Sequence, residues 1–142
     1  MIQLSTIYKY DCQMPYGLHD MQIDKIELVD KNLKLYFQNG YIELQEPFKQ
    51  VDGNIIIENL DLDFCFVYFL SENGAFGDFA GKKLYLVDFL KEYQDFTFEV
   101  IDELYSYNQI RYSGYLNLPN KVSQIELDIS IYYSGNIIYE TT

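Results

Sequence analysis

The sequence predicts a mainly β domain. Antiparallel meanders and hairpins would form a two-layer sandwich or flattened barrel of about nine strands, with one short helix near residues 88–93. A β-rich α+β arrangement is the variant of the same reading. Three observations carry it. The 142 residues include 15 Tyr and 10 Phe, side chains that pack well on a pleated surface. Apolar and polar residues alternate with a period of two through much of the chain. Turn formers recur roughly every eight to twelve residues, with no strand–helix–strand rhythm. The length fits one domain spanning 1–142.

Taken in order, Ile26 and Leu28 alternate with charged residues, residues 30–32 turn the chain, and Leu33, Leu35 and Phe37 continue the alternation. Asn39-Gly40 is the strongest short hairpin signal, because both residues tolerate positive φ. A two-residue loop there would set Phe37 opposite Ile42 and Leu35 opposite Leu44. A loop at Lys31-Asn32 would set Leu28 opposite Leu35 and Ile26 opposite Phe37. Residues 45–54 read as a loop with Pro47 and Asp52-Gly53, followed by a strand over 55–58. Residues 60–70 are apolar on both parities after Asp63, the pattern of a central strand covered on both faces. Residues 71–83, with Gly74, Gly77 and Gly81, read as a loop, and a strand resumes over 82–86. In 88–93, Phe89, Leu90 and Tyr93 fall on one side of a short helix. Phe96, Phe98 and Val100 alternate until Val100-Ile101 breaks the rhythm as a bulge would; a helix over 98–107 is the alternative. Residues 106–108 turn into Ile110, Tyr112, Gly114 and Leu116. Ile125, Leu127, Ile129 and Ile131 then alternate with polar residues, and 134–136 turn into 137–140.

Charge narrows the function. The net charge is -12, and Arg111 is the single arginine. Nucleic acid and anionic membranes are poor partners for such a surface, and a basic protein is a better one. The longest apolar run, 64–70, is far shorter than the ~20 residues of a membrane span. Cys12 and Cys65 make no disulfide framework, and no secretory signal is visible, so a soluble cytoplasmic protein is expected. No cofactor is expected. The glycine-rich stretch carries Phe76 and Lys83 where a phosphate loop needs Gly and Ser or Thr. Zinc lacks ligands, since Cys12, Cys65 and His19 do not make a set of four. Asp61 and Asp63, two apart on a strand, would point the same way and could share a cation with Asp78 or Glu72, although no calcium loop can be traced. The chain has no Trp, the commonest sugar-stacking platform.

His19 is the only histidine and precedes Asp20 directly. As an acid/base pair these two would need a nucleophile, for which Cys12 is the one candidate nearby. As structure, they would latch the first hairpin: His19 donates to a carbonyl and Asp20 bonds amides. Neighbours on an extended chain point apart, which argues against Asp20 orienting the imidazole.

Leu18-His19-Asp20 and the strand–turn–strand after it resemble the opening of small uncharacterised bacterial β-rich domains, some of them similar to immunity proteins. The resemblance implies a protein that works by binding, and it transfers no catalytic residues. The expected function is thus a non-enzymatic protein-binding module with an acidic, Tyr-rich surface, presented by the outward sets Tyr36, Tyr41 and Glu43, and Glu126 with Asp128. A small-molecule or cation-dependent activity around His19 or Asp61 and Asp63 is the second hypothesis, and a homo-oligomer built through an exposed edge strand the third.

Overall fold

The computed structural model of the chain describes residues 3–10, 13–75 and 79–142. Its strands are β1 (Leu4–Tyr8), β2 (Tyr16–Gly17), β3 (Gln22–Val29), β4 (Asn32–Phe37), β5 (Tyr41–Glu43), β6 (Gln50–Val51) and β7 (Gly53–Ile57). After a 3-10 turn, Leu62–Phe64, come β8 (Phe66–Ala75), β9 (Phe79–Tyr85), the helix α1 (Leu86–Glu92), β10 (Thr97–Ser106), β11 (Gln109–Asn117), β12 (Ile125–Tyr132) and β13 (Ile137–Thr141). Ten strands form one antiparallel sheet in the order β1-β13-β7-β4-β3-β10-β11-β12-β8-β9, and β2-β5-β6 form a small second sheet. Among the described residues β1 and β9 do not pair, so the sheet is open and the flattened-barrel alternative does not hold.

The long sheet folds over itself at β3 and β10, whose ladder has two registered pairs, Phe98↔Ile23 and Glu99↔Gln22. That weak seam lets β1, β13, β7 and β4 form one layer and β10, β11, β12 and β8 the other. Rings meet across the gap, where Tyr8 of β1 lies 5.7 Å from Tyr105 of β10, and the small sheet adds Tyr16, 5.1 Å from Tyr139 of β13. Beside this tyrosine interior, Phe69 and Phe96 pack against Phe89 of α1, with Phe89 and Tyr93 stacked at 5.0 Å. Leu86 and Phe89, three apart, give the helix its buried side. No helix among the described residues is long and apolar enough to cross a membrane.

Parity survives where partner choice does not. Leu28 faces Leu33 and Ile26 faces Leu35, because the loop is Asp30-Lys31 rather than Lys31-Asn32. A slip of two keeps every side chain on its face, so Leu33, Leu35 and Phe37 are buried as their alternation requires. Asn39-Gly40 is not a hairpin. Gly40 has φ +69° and a Cβ there would lie 1.7 Å from the Val51 carbonyl, so glycine is what fits where the chain leaves the main sheet. β4 pairs instead with β3 and β7, and β5 with β2 and β6. The glycine-rich segment is largely strand, since β8 runs to Ala75 and β9 starts at Phe79. The bulge is confirmed: Val100 opposes Gly114 and Asp102 opposes Ser113, leaving Ile101 between them, and the alternative helix over 98–107 does not form. β12 and β13 are both present but part company, β12 to β11 and β8, β13 to β7 and β1.

Candidate interaction surface

His19 and Asp20 sit at the chain's approach to β3. The His19 imidazole makes a 2.7 Å hydrogen bond through Nδ1 to the Ile101 carbonyl, for which Nδ1 carries the proton. Its Nε2 lies 3.3 Å from the Asp20 carboxylate. Contact between these sequence neighbours is possible because Asp20 adopts φ 66°, outside the extended conformation assumed from sequence. Both side chains are exposed. The Ile101 carbonyl, then the Asp20 carboxylate, and more weakly Asp102 and Glu99, raise the imidazole pKa above 6.5. Around it, the Asp20 amide donates to the Val100 carbonyl at 2.7 Å and the Val100 amide to Met21 at 2.9 Å. The Leu18 amide donates to the Glu103 carboxylate at 2.6 Å, and the Tyr105 hydroxyl donates to the same carboxylate. Burial pushes the Glu103 pKa up, against the pull of those two donors and of His19. This is the geometry of a latch fastened to the β10 bulge. Cys12, the nucleophile considered for His19, lies outside the described residues.

The cation candidates do not converge. Asp61 and Asp63 belong to a 3-10 turn rather than a strand, and Asp61 accepts the Asp63 amide at 3.3 Å as its cap. Asp78 lies outside the described residues. Among those described, no group of three or more His, Cys, Asp or Glu could hold a metal ion.

The first expected binding set is dispersed. Tyr36 faces outward on β4, but its hydroxyl donates to Glu27 at 3.0 Å, and Lys25 and Lys34 each sit 5.1 Å from its ring. Tyr41 is fully buried, a correction to its expected outward place. Its hydroxyl donates to the Glu140 carbonyl at 2.6 Å and is also 2.9 Å from the Asn54 carbonyl, joining the small sheet to the large one. Burial raises its pKa, with the neighbouring Tyr16 adding to the shift. Glu43 lies in the small sheet opposite Tyr16, away from the other candidates.

The second set, Glu126 and Asp128, faces outward on β12 and belongs to a larger surface. Register aligns Arg111, Ser130, Phe66 and Tyr85 across β11, β12, β8 and β9, with Ser113, Asp128, Tyr68 and Lys83 in the next row. Cys65, Val67 and Phe69 point into the core, so Phe66 and Tyr68 necessarily point out. Segment 64–70 is therefore not covered on both faces; its outer parity is aromatic and meets solvent. Phe66 packs 5.1 Å from Tyr85 and 6.2 Å from Tyr68, and Phe64, 59% exposed, lies 6.1 Å from Tyr132. The Lys83 ammonium sits 4.0 Å above Phe66, while Arg111 lies 5.8 Å from Tyr68 and 4.0 Å from the Asp128 carboxylate.

At the other end of this face is a hollow of about 320 Å3, lined by Asp102, Glu126 and Asp128 with Ser113, Tyr115 and Leu70. The bulge makes it. The extra residue Ile101 reverses the parity of β10, turning Asp102 outward and Glu103 inward. The pairing of β12 with β8 is irregular there too: Glu126 opposes Ser71 and Leu127 opposes Phe69, leaving Leu70 of β8 between them at the hollow. Gly114 permits the close approach of β10, since a Cβ there would lie 1.8 Å from the Glu99 carbonyl.

Sequence reasoning placed Glu126 and Asp128 correctly on an outer face but missed Phe64, Phe66, Tyr68, Tyr85 and Tyr132. The available signal was chemical: a doubly apolar strand whose outward positions are Phe and Tyr, not Val and Ile. Asp102 and Glu103 were missed because their facing depends on which residue bulges. Comparison of the chain with protein-family models, curated proteins and solved structures finds no match.

Proposed function

We propose that the protein is a non-enzymatic binding module that docks a basic protein on the outer face of β11, β12, β8 and β9. The observation that carries this is the solvent-facing set Phe64, Phe66, Tyr68, Tyr85 and Tyr132 beside the carboxylates of Asp102, Glu126 and Asp128. Aromatic side chains held rigidly at a surface supply contact area at little entropic cost and are the usual anchors of an interface. Arg111 reaches only Asp128, leaving Asp102 and Glu126 without an ion pair among the described residues, which favours a cationic side chain from outside. The whole-chain charge of -12 would steer such a partner. The resemblance of the Leu18-His19-Asp20 opening to immunity-like domains supplies a concrete partner class, a basic toxin.

The test is affinity capture from cells that encode the chain, at low and high salt. A basic protein should be retained by the unaltered chain and released by salt. Tyr68→Ala should weaken retention by about 2 kcal/mol or more, some 30-fold, as a central anchor would. Tyr36→Ala, on the opposite face, should leave retention unchanged. Equal retention by the two variants, or an acidic partner, would defeat the reading.

A further inference from the structure

We propose that a second copy of this chain docks on the open edge at β1, joining two sheets into one across a two-fold axis. The proposal is independent of the aromatic face and rests on how differently the two edges of the sheet are built. β9 carries Lys82 and Lys83, the kind of charge that protects an exposed edge from pairing. β1, LSTIY, carries no charged residue, has β13 as its one strand neighbour among the described residues, and leaves Leu4 62% and Ile7 51% exposed.

The occupant follows from charge and symmetry. A chain of -12 repels its own copies, so self-association requires a neutral strip, and β1 is one. On the outer face of this layer, register places Ile7 beside Ile138 and Ile138 beside Ile56, an apolar row crossing β1, β13 and β7. The row ends abruptly at the edge. Antiparallel pairing of two β1 strands about Ile7 puts the same residue of each copy face to face, as an isologous two-fold contact demands. The two rows then become a single row of isoleucines. In that register Ser5 of one copy faces Lys9 of the other. Because Ser5 also pairs with Glu140, the incoming lysine lies two strand spacings, about 10 Å, from that carboxylate, within reach of two long side chains, and would share it with Lys34, 3.4 Å away. One lysine thus meets the single carboxylate of β13 from each side of the axis.

Light scattering across about 5–200 µM protein should show a monomer passing to a dimer, since the population of a dimer rises with concentration. Ile7→Lys, an exposed substitution that places like charges opposite each other, should weaken dimerisation at least about tenfold while circular dichroism stays unchanged. In a Cys12→Ser background, Ile7→Cys should form a disulfide-linked dimer under mild oxidation, because directly opposed residues lie at disulfide distance. A monomer at every concentration overturns the proposal. So does a dimer indifferent to Ile7→Lys, or one that Ile7→Cys fails to cross-link, either of which puts the interface elsewhere.

Discussion

The two outer faces of the folded sheet enclose the same core but handle polar groups in opposite ways. On the β13-β7-β4-β3 face, charges are matched within the chain. Lys34 sits 3.4 Å from Glu140, Lys25 sits 3.4 Å from Glu27, and both ammonium groups flank Tyr36. On the β11-β12-β8-β9 face, Lys83 covers Phe66 and Arg111 sits 4.0 Å from Asp128, but Phe64, Tyr85 and Tyr132 lie exposed and Asp102, Glu126 and Asp128 gather round one hollow. The first face pairs its own charges, whereas the second leaves Asp102 and Glu126 without an ion pair among the described residues, and it is on this difference that the proposed docking rests.

The largest expected effect separates the inside of β8 from its outside. Phe69→Ala, in the core, should cost about 3–5 kcal/mol of unfolding free energy. Tyr68→Ala, the adjacent residue facing solvent, should change stability by less than about 1 kcal/mol while abolishing most partner retention. Urea unfolding of both variants measures the contrast. If Tyr68→Ala destabilises as much as Phe69→Ala, the outer ring is structural and the contrast between the faces collapses.

Next in size, Gly114→Ala should cost about 1–3 kcal/mol, because the added methyl meets the Glu99 carbonyl and the bulge must shift. It should also weaken partner retention by disturbing the hollow. A variant of wild-type stability would show that β10 yields at no cost, and that the bulge does not hold the acids in place.

The smallest effects are those of pH on the latch. Glu103 titrates above its ordinary 4.5 in the folded chain. Between the two values the native state holds more proton than the unfolded state, so the stabilisation is present at acid pH and lost as pH rises through the raised value. His19, raised above 6.5, has the same sign: its contribution is full below 6.5 and disappears as pH rises through its higher folded value. Stability of the wild type should therefore fall relative to Glu103→Gln from about pH 4.5 upward, and relative to His19→Gln from about pH 6.5 upward. The second step should be slight, because His19 is exposed and solvent screens it. Parallel profiles for wild type and both variants would mean that neither group titrates through the latch.

How much of this was legible in advance can be judged residue by residue. Ile125, Leu127, Ile129 and Ile131 announced a half-buried strand and are buried; Val100-Ile101 announced a bulge and is one. His19 was expected to donate to a carbonyl and is bonded to that of Ile101. Tyr41 could not be read, because its burial depends on β5 leaving the main sheet at Gly40. The outward face of β8 could not be read either, because a doubly apolar run fits burial and docking equally well.

The sequence by itself determined the β class, the single short helix and the face on which most strand residues lie. Those features are local: alternation along a strand is fixed by backbone geometry, and even a slip of two residues preserves it. The tertiary structure alone decided which strands are neighbours, that the sheet stays open, and that Phe66 and Tyr68 come to lie with Tyr85, Arg111, Asp128 and Tyr132 on one surface. Strand pairing joins segments far apart in the chain, and its choice among partners depends on the packing of the whole core rather than on any one stretch.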